Sequence, residues 1–214
     1  MNEQLESMIR TQIEARGVRD PRVLRALGRV DRGLFVPPEA RSLAYEDFPL
    51  SIGYDQTISQ PYMVAIMTEL LSPSPSSKIL EIGTGCGYQT AILAEMARKV
   101  YSLEIIPELA ESARQRLASL GYDNVVCRSG NGWQGWPSEA PFDGILLAAA
   151  PEELPQRLVE QLAPGGRLVL PVGTFRQELV VVDKDFRGNL ECREIFGVRF
   201  VHMTGKEAPG ISPE

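Results

Sequence analysis

The sequence has few residues of the kinds that bind metals or form disulfides. It contains one histidine and three cysteines, Cys86, Cys127 and Cys192, which are far apart and lack CxxC spacing. Zinc sites and disulfide frameworks are typical of more closely spaced cysteines and histidines. The sequence therefore predicts neither a metal nor a disulfide, and it favours the reduced thiols of a cytoplasmic protein.

Long apolar runs and basic clusters are also missing. The N-terminus, MNEQLESMIR, has no apolar signal core, and no apolar run is long enough for a membrane span. With 22 basic against 28 acidic residues the net charge is −6, and no basic run is longer than Arg98-Lys99. Nucleic-acid binding is typical of clustered positive charge. We expect a soluble protein that binds neither nucleic acid nor membranes.

The chain alternates predicted strands with predicted helices. Its length of 214 residues suits one domain, residues 1–214. The predicted strands include KILEI, KVYSLE, NVVC, DGILLAA and GRLVLPV, with helical segments between them. This alternation predicts an α/β fold with a mostly parallel, doubly wound sheet.

The two ends of the chain differ from this middle part. The pattern of residues 1–62 predicts N-terminal helices. Gly17 ends the first helix, Asp20-Pro21 begins the second, and FPLSIG lies in a loop. The core then covers about 63–173. After it, about 174–205, the segments ELVVVDKD and LECREIFGVRF flank a turn and predict antiparallel C-terminal strands.

A glycine-rich loop, EIGTGCG, lies between a predicted strand and a predicted helix. Glycines there allow a tight turn and expose amide groups to a ligand at the helix N-terminus. Glu104 ends the next strand, where a carboxylate can accept hydrogen bonds from a ribose. Glu81 precedes the loop and would repel a pyrophosphate but favour an ammonium group. The pattern indicates S-adenosylmethionine over NAD; the alternative is a packing turn without a ligand.

The stretch TISQP leads into a third predicted helix. Pro61 suits the first turn, which places Ser59 and Gln60 at the N-terminal end. A hydroxyl and free amides there can hold an anion without a full positive charge. Alternatively, Ser59 only caps its own helix.

Several segments together resemble the protein-L-isoaspartate O-methyltransferase family. They include EIGTGCGYQTAILAEM, VYSLE and LAPGGRLVLPVG; the specific ones are TISQPYMVA, AYEDFPL and VRFVHMTG. The resemblance runs from about Met1 to Gly205 and implies a class I S-adenosylmethionine-dependent methyltransferase fold (Rossmann-like). It implies methylation of L-isoaspartyl, and often D-aspartyl, carboxylates in damaged proteins and peptides, which initiates repair and leaves S-adenosyl-L-homocysteine. We expect a monomer.

The loop, the acid and the resemblance together assign the site residues. The predicted cofactor-binding residues are Gln56, Thr57, Ile58, Glu81, Gly83, Gly85, Gly87, Glu104, Ile105, Asn131, Gly132 and Thr204. The predicted substrate-binding residues are Ile58, Ser59, Val201 and His202, with Ser59 as the catalytic residue. No general base is expected, because a carboxylate is already ionised at neutral pH and catalysis can come from in-line positioning.

Three positions depart from the family pattern. His202 stands where the family usually has proline, and Met203 after it also departs from the family pattern. Asn131 replaces the aspartate of the family's usual GDG. The Asn131 oxygen can still accept a hydrogen bond from adenine, at a cost of about 1 kcal/mol against a charged acceptor.

Two other functions remain open on the sequence. One is a methyltransferase for a different peptide carboxylate, although relatives of that kind carry more sequence after the position of Gly205. The other is a binding protein that holds S-adenosylmethionine without catalysis.

Overall fold

The computed structural model describes residues 2–205 and has a seven-stranded sheet at its centre, in the order β5-β4-β3-β6-β7-β8-β9. The strands are β3 (Lys78–Ile82), β4 (Lys99–Glu104), β5 (Val125–Ser129), β6 (Phe142–Leu147), β7 (Leu162–Val172), β8 (Gln177–Lys184) and β9 (Leu190–Val198). Strands β3 to β7 are parallel, and β8 and β9 are antiparallel. The predicted fold class is confirmed.

Helices cover the sheet and add an N-terminal layer. They are α1 (Glu3–Met8), α2 (Pro21–Arg29), α3 (Pro61–Leu71), α4 (Tyr88–Ala94), α5 (Pro107–Ser119) and α6 (Gln156–Glu160). Alternate strand residues face opposite sides, so that Ile79 belongs to one buried apolar cluster while Leu80 and Ile82 belong to another. Burial on both faces explains why the strands read as continuous apolar runs.

The N-terminal layer begins and ends its helices at the predicted residues. After α1 the helix widens over Ile9–Ile13 and tightens over Glu14–Arg16, and Gly17 ends it with a left-handed φ of 97°. The Asp20 side chain accepts a hydrogen bond from the Arg22 amide at 2.8 Å and caps α2.

A short hairpin replaces the loop that the sequence predicted around FPLSIG. Strand β1 (Leu50–Gly53) pairs antiparallel with β2 (Gln56–Ile58). The turn residues Tyr54 and Asp55 have left-handed φ angles of 54° and 55°. Glycine or asparagine usually takes such positions, which is why the turn was missed. The hairpin matters because β2 leads directly into the N-terminus of α3.

One helix is much shorter than predicted. The segment EELPQRLVEQL forms only α6, because Pro155 lies at its N-cap and β7 begins soon afterwards at Leu162. Within residues 2–205, no helix is long and apolar enough to cross a membrane.

Candidate active site

The glycine loop follows β3 at the carboxyl edge of the sheet, where ligands of open α/β folds bind. Gly83 and Gly85 have φ angles of 93° and 53°, which favour glycine. A Cβ atom on Gly83 would lie 3.4 Å from Ala148 Cβ, and one on Gly85 would lie 3.3 Å from Ile52 Cδ1. The loop is thus closely bounded by Ala148, the residue after β6, on one side and by the hairpin on the other.

Glu104 holds this loop from the end of β4. Its side chain is 5% exposed, and Oε2 accepts a hydrogen bond from the Gly85 amide at 2.8 Å. Oε1 accepts a second one from the Ile106 amide at 3.1 Å. Each carboxylate oxygen has a further lone pair, so Glu104 can still accept hydrogen bonds from the hydroxyls of a ligand.

A narrow groove runs along the loop, and most of the predicted cofactor-binding residues line it. Eight of them line it: Gln56, Thr57, Gly83, Gly85, Glu104, Ile105, Gly132 and Thr204. The wall also includes Ala148, Ala149 and Met203, which the sequence reasoning missed. Ala148 and Ala149 directly follow β6, and small residues at the carboxyl end of a parallel strand are a signal that could have identified them.

Glu81 is not in the wall of this groove, which corrects the prediction that it meets the ammonium group of the cofactor. Its side chain is fully buried, and Oε2 accepts hydrogen bonds from the Thr90 and Ser102 hydroxyls at 2.5 and 2.6 Å. Oε1 has no hydrogen-bond partner among the residues described. Burial raises the pKa of Glu81 to about 7, against the opposing effect of the two hydroxyl groups.

Gly87 and Ile58 also lie away from the groove. Gly87 is the N-cap of α4, and a Cβ atom there would lie 3.2 Å from Leu117 Cδ1. Its function is close packing of α4 against α5. Ile58 is 3% exposed and packs in the core, because alternation along β2 turns it inward from its neighbours Thr57 and Ser59.

Asn131 supports the groove without lining it. Its Oδ1 accepts a hydrogen bond from the Trp133 amide at 3.0 Å, and its Nδ2 donates one to the Gly205 carbonyl at 2.8 Å. This places Gly132, the next residue, in the groove wall.

Trp136 is buried and packs against Tyr101, edge to face, with ring centroids 5.3 Å apart. Its role is therefore packing.

A wider cleft of about 730 Å³ adjoins the groove and contains Ser59. Thr57, Ala148 and Val201 line both spaces, so the two meet at these residues. The rest of the cleft wall consists of Arg16, Pro49, Gln60, Tyr62, Met63 and the segment 196–200. The pairing of β9 with β8 places this segment at the cleft, and its residues 198–200 begin VRFVHMTG, one of the stretches singled out in the sequence.

Ser59 does not cap α3. The N-cap of α3 is Gln60, which makes no side-chain cap bond, and Pro61 is the first helical residue. The Gln60 side chain instead donates hydrogen bonds to the carbonyl and Oδ1 of Asp47, both at 2.9 Å. In the described part of the chain, no group forms a hydrogen bond with the Ser59 hydroxyl, which leaves it available at the cleft.

The segment after β9 closes the groove. The Ala150 amide donates to the Val201 carbonyl, and the Met203 amide donates to the Ala150 carbonyl, both at 2.8 Å. Val201 is therefore fixed where the groove and the cleft meet. His202 is exposed and lines the groove, not the cleft, so the structure places it beside Val201 but not with Ser59. Residues 2–205 contain no cluster of metal-binding side chains.

Comparison with known proteins gives a consistent result over nearly the whole chain. A profile of the family described as protein-L-isoaspartate(D-aspartate) O-methyltransferase matches residues 3–208. A protein-L-isoaspartate O-methyltransferase from Picosynechococcus is 56% identical over 200 residues, or 94% of this chain and 90% of the relative. One from Gloeobacter violaceus is 52% identical and covers 94% of this chain and 98% of its own.

Solved structures agree with this result. A protein-L-isoaspartate O-methyltransferase aligns with a TM-score of 0.83 at 27% identity, covering 95% of this chain and 65% of that longer chain. A beta-aspartate methyltransferase from Plasmodium falciparum, solved with S-adenosyl-L-homocysteine, aligns with a TM-score of 0.78 at 27% identity, covering 94% of this chain and 97% of its own.

Proposed function

The chain belongs to the protein-L-isoaspartate(D-aspartate) O-methyltransferase family, and we propose a residue-level account of how it methylates L-isoaspartyl carboxylates in damaged proteins. It is an S-adenosylmethionine-dependent carboxyl methyltransferase, and methylation of this kind initiates repair. D-Aspartyl residues, which the name of the family includes, are a second proposed substrate.

The groove suits S-adenosylmethionine. Two glycines with positive φ bring backbone close to a ligand, and Glu104 offers lone pairs at the position where a ribose acceptor is needed. Ile105 and Met203 add apolar surface, and Gly132 packs closely beside Met203, since a Cβ atom there would lie 3.0 Å from Met203 Cε and would clash with Ile82 Cγ2. The bound cofactor supplies the methyl group as part of a sulfonium. In our proposal Glu104 accepts the ribose hydroxyl bonds, while Asn131 fixes the loop around Gly132.

Ser59 is proposed to orient the substrate carboxylate. Its hydroxyl is free to donate, and the N-terminus of α3 adds partial positive charge. Neither group carries a full positive charge, so the carboxylate stays nucleophilic. Thr57 and Val201 lie where the cleft meets the groove. They would hold the reacting groups in line and exclude water, which is how positioning accelerates a reaction that needs no proton transfer.

The main support for this proposal is that the groove beside the glycine loop and the cleft that contains Ser59 meet. A cofactor in the groove and a peptide in the cleft would meet at Thr57, Ala148 and Val201. A protein that only binds S-adenosylmethionine has no need of a 730 Å³ cleft open to that junction.

Matched peptides test the function. We expect base-labile methyl esters on an isoaspartyl peptide incubated with radiolabelled S-adenosylmethionine, and little label on the aspartyl peptide of the same sequence. A peptide with free carboxylates but no isoaspartyl residue is the control. Equal labelling of all peptides, or of none, would contradict the assignment.

The remaining proposals concern the oligomeric state, the cellular location and the binding partners of the enzyme. We propose that the chain acts as a monomer in the cytoplasm and that it binds neither nucleic acid nor membranes. The net charge of −6 supports the absence of a nucleic-acid partner. All three cysteines are free thiols, which supports a reducing compartment.

A further inference from the structure

The cleft is larger than one isoaspartyl side chain requires. Its volume of about 730 Å³ lies in the range of pockets that enclose drug-sized ligands. The cleft therefore has room for residues on either side of the isoaspartyl residue. The charges on its wall then decide which neighbouring residues are favoured.

Two arginines, Arg16 and Arg199, line the cleft, and among its described lining residues there is no carboxylate. This differs from the chain as a whole, which has a net charge of −6. Since a cleft focuses the field of the charges on its walls, the two guanidinium groups attract anionic parts of a substrate.

Arg16 is held in a fixed position at this wall. Its guanidinium lies 3.6 Å above the Tyr62 ring, and Tyr62 stacks on Phe196 with ring centroids 6.4 Å apart. Arg16 Nη1 lies 3.3 Å from Asp47 Oδ2. This ion pair offsets part of the Arg16 charge, although the side chain is still 42% exposed.

Arg199 has no such partner. It is exposed just after β9, and within residues 2–205 it forms neither an ion pair nor a side-chain hydrogen bond. Its guanidinium group is therefore not paired with a carboxylate among the described residues. Because its fork of N–H donors matches a carboxylate, an acidic side chain is the chemical partner that it fits.

We propose that this wall is a subsite for an acidic residue next to the isoaspartyl residue, with Arg199 as the principal contact and Arg16 as the second. The proposal rests on the proposed function and adds a substrate preference to it. Uncharged Ser59 holds the reacting carboxylate, while the arginines bind a carboxylate that does not react. Binding energy from that residue brings the substrate into the cleft.

Peptide pairs measure the preference. Isoaspartyl peptides would carry glutamate, glutamine or lysine at one position, one or two residues before or after the isoaspartyl residue. At low salt we expect kcat/KM to be about two- to fivefold higher for glutamate than for glutamine at one or more positions, mainly through KM. Lysine should be the least favoured, and high salt should reduce the differences.

Three variants test whether the two arginines cause the preference for glutamate. Arg199→Gln should abolish most of the preference for glutamate. Asp47→Asn should increase it, because the amide frees the Arg16 charge and keeps an oxygen for the Gln60 bond. Arg193→Gln is the matched control: it removes the same charge from β9, where Arg193 pairs with Asp183 outside the cleft. It should leave the preference unchanged.

Several results would overturn the inference. These are equal rates for glutamate and glutamine at every position, a preference that survives Arg199→Gln, or an equal loss in the Arg193→Gln control. A uniform fall for all peptides in Arg199→Gln would mean that Arg199 binds the reacting carboxylate instead. If the wild-type chain does not methylate even the glutamine peptides, the proposed function itself fails and takes this inference with it.

Discussion

At the scale of single residues, two acids at the ends of neighbouring strands have different environments. Glu104 faces the groove and accepts bonds from the Gly85 and Ile106 amides. Glu81 is buried behind the loop and bonds to Thr90 and Ser102. Although both were predicted to bind the cofactor, only Glu104 lines the groove.

Replacing Glu104 tests its part in cofactor binding. Glu104→Ala should weaken S-adenosylmethionine binding by roughly 2 kcal/mol or more, because the ribose hydroxyls lose a charged acceptor and the loop loses an anchor. Glu104→Gln should weaken it less, since one oxygen remains. Titration calorimetry measures both, with Glu108→Ala, at an exposed position of α5, as the control. Unchanged affinity in Glu104→Ala would refute this role.

At the scale of elements, the β1–β2 hairpin and α3 together place the candidate catalytic hydroxyl. Strand β2 brings Thr57 to the groove, and Pro61 then starts α3 at once. Ser59 lies between them, and among the described residues its hydroxyl bonds to neither element. Strand β2 and helix α3 therefore fix where Ser59 lies, while Ser59 contributes little to the stability of either element.

The variant Ser59→Ala separates catalysis from helix capping. We expect a methylation rate about ten- to a hundredfold lower, the scale of one positioned hydrogen bond worth about 1.4 to 3 kcal/mol. Melting temperature and cofactor affinity should change little, because Ser59 makes no cap bond and the groove is formed by other residues.

Two further variants complete this test. Ser59→Thr keeps a hydroxyl and should retain part of the rate, while Ser119→Ala, at an exposed position of α5, is the control for loss of a hydroxyl. If Ser59→Ala melted early but methylated at full rate per folded molecule, the hydroxyl would be structural.

At the scale of the whole molecule, Glu81 links stability to pH. Burial raises the pKa of Glu81 from 4.5 to about 7, so the folded state binds a proton that the unfolded state has already released. The free energy of unfolding therefore falls as the pH rises from about 4.5 to 7, by on the order of 3 kcal/mol. Below this range the contribution is fully present, and above it the contribution is lost.

Denaturant unfolding between pH 4 and 8 measures this effect as a difference between variants. Glu81→Gln cannot ionise, so its free energy of unfolding should fall less over that range than that of the wild type. Glu160→Gln, an exposed carboxylate at the end of α6, makes the same charge change and should follow the wild-type curve. Parallel curves for wild type and Glu81→Gln would contradict the pKa shift.

The sequence by itself determined the fold class and the cofactor loop, because these depend on local patterns. Alternating apolar strands and helices, glycines directly after β3 and an acid at the end of β4 are all visible within short segments. Only the tertiary structure decided which of those residues face a ligand. Packing against α4 and β4 buried Glu81, and packing against Leu117 took Gly87 out of the groove.

The substrate cleft depended on tertiary structure even more. The cleft combines Arg16 of the N-terminal layer, Ser59 just before α3, Phe196 of β9 and Arg199 just after β9. They are distant in sequence, and no local pattern relates them, since the antiparallel pairing of β9 with β8 decides where the last two lie. Spacing along the chain identifies a loop that binds a cofactor, whereas a wall built from separate segments exists only once the long-range contacts have formed.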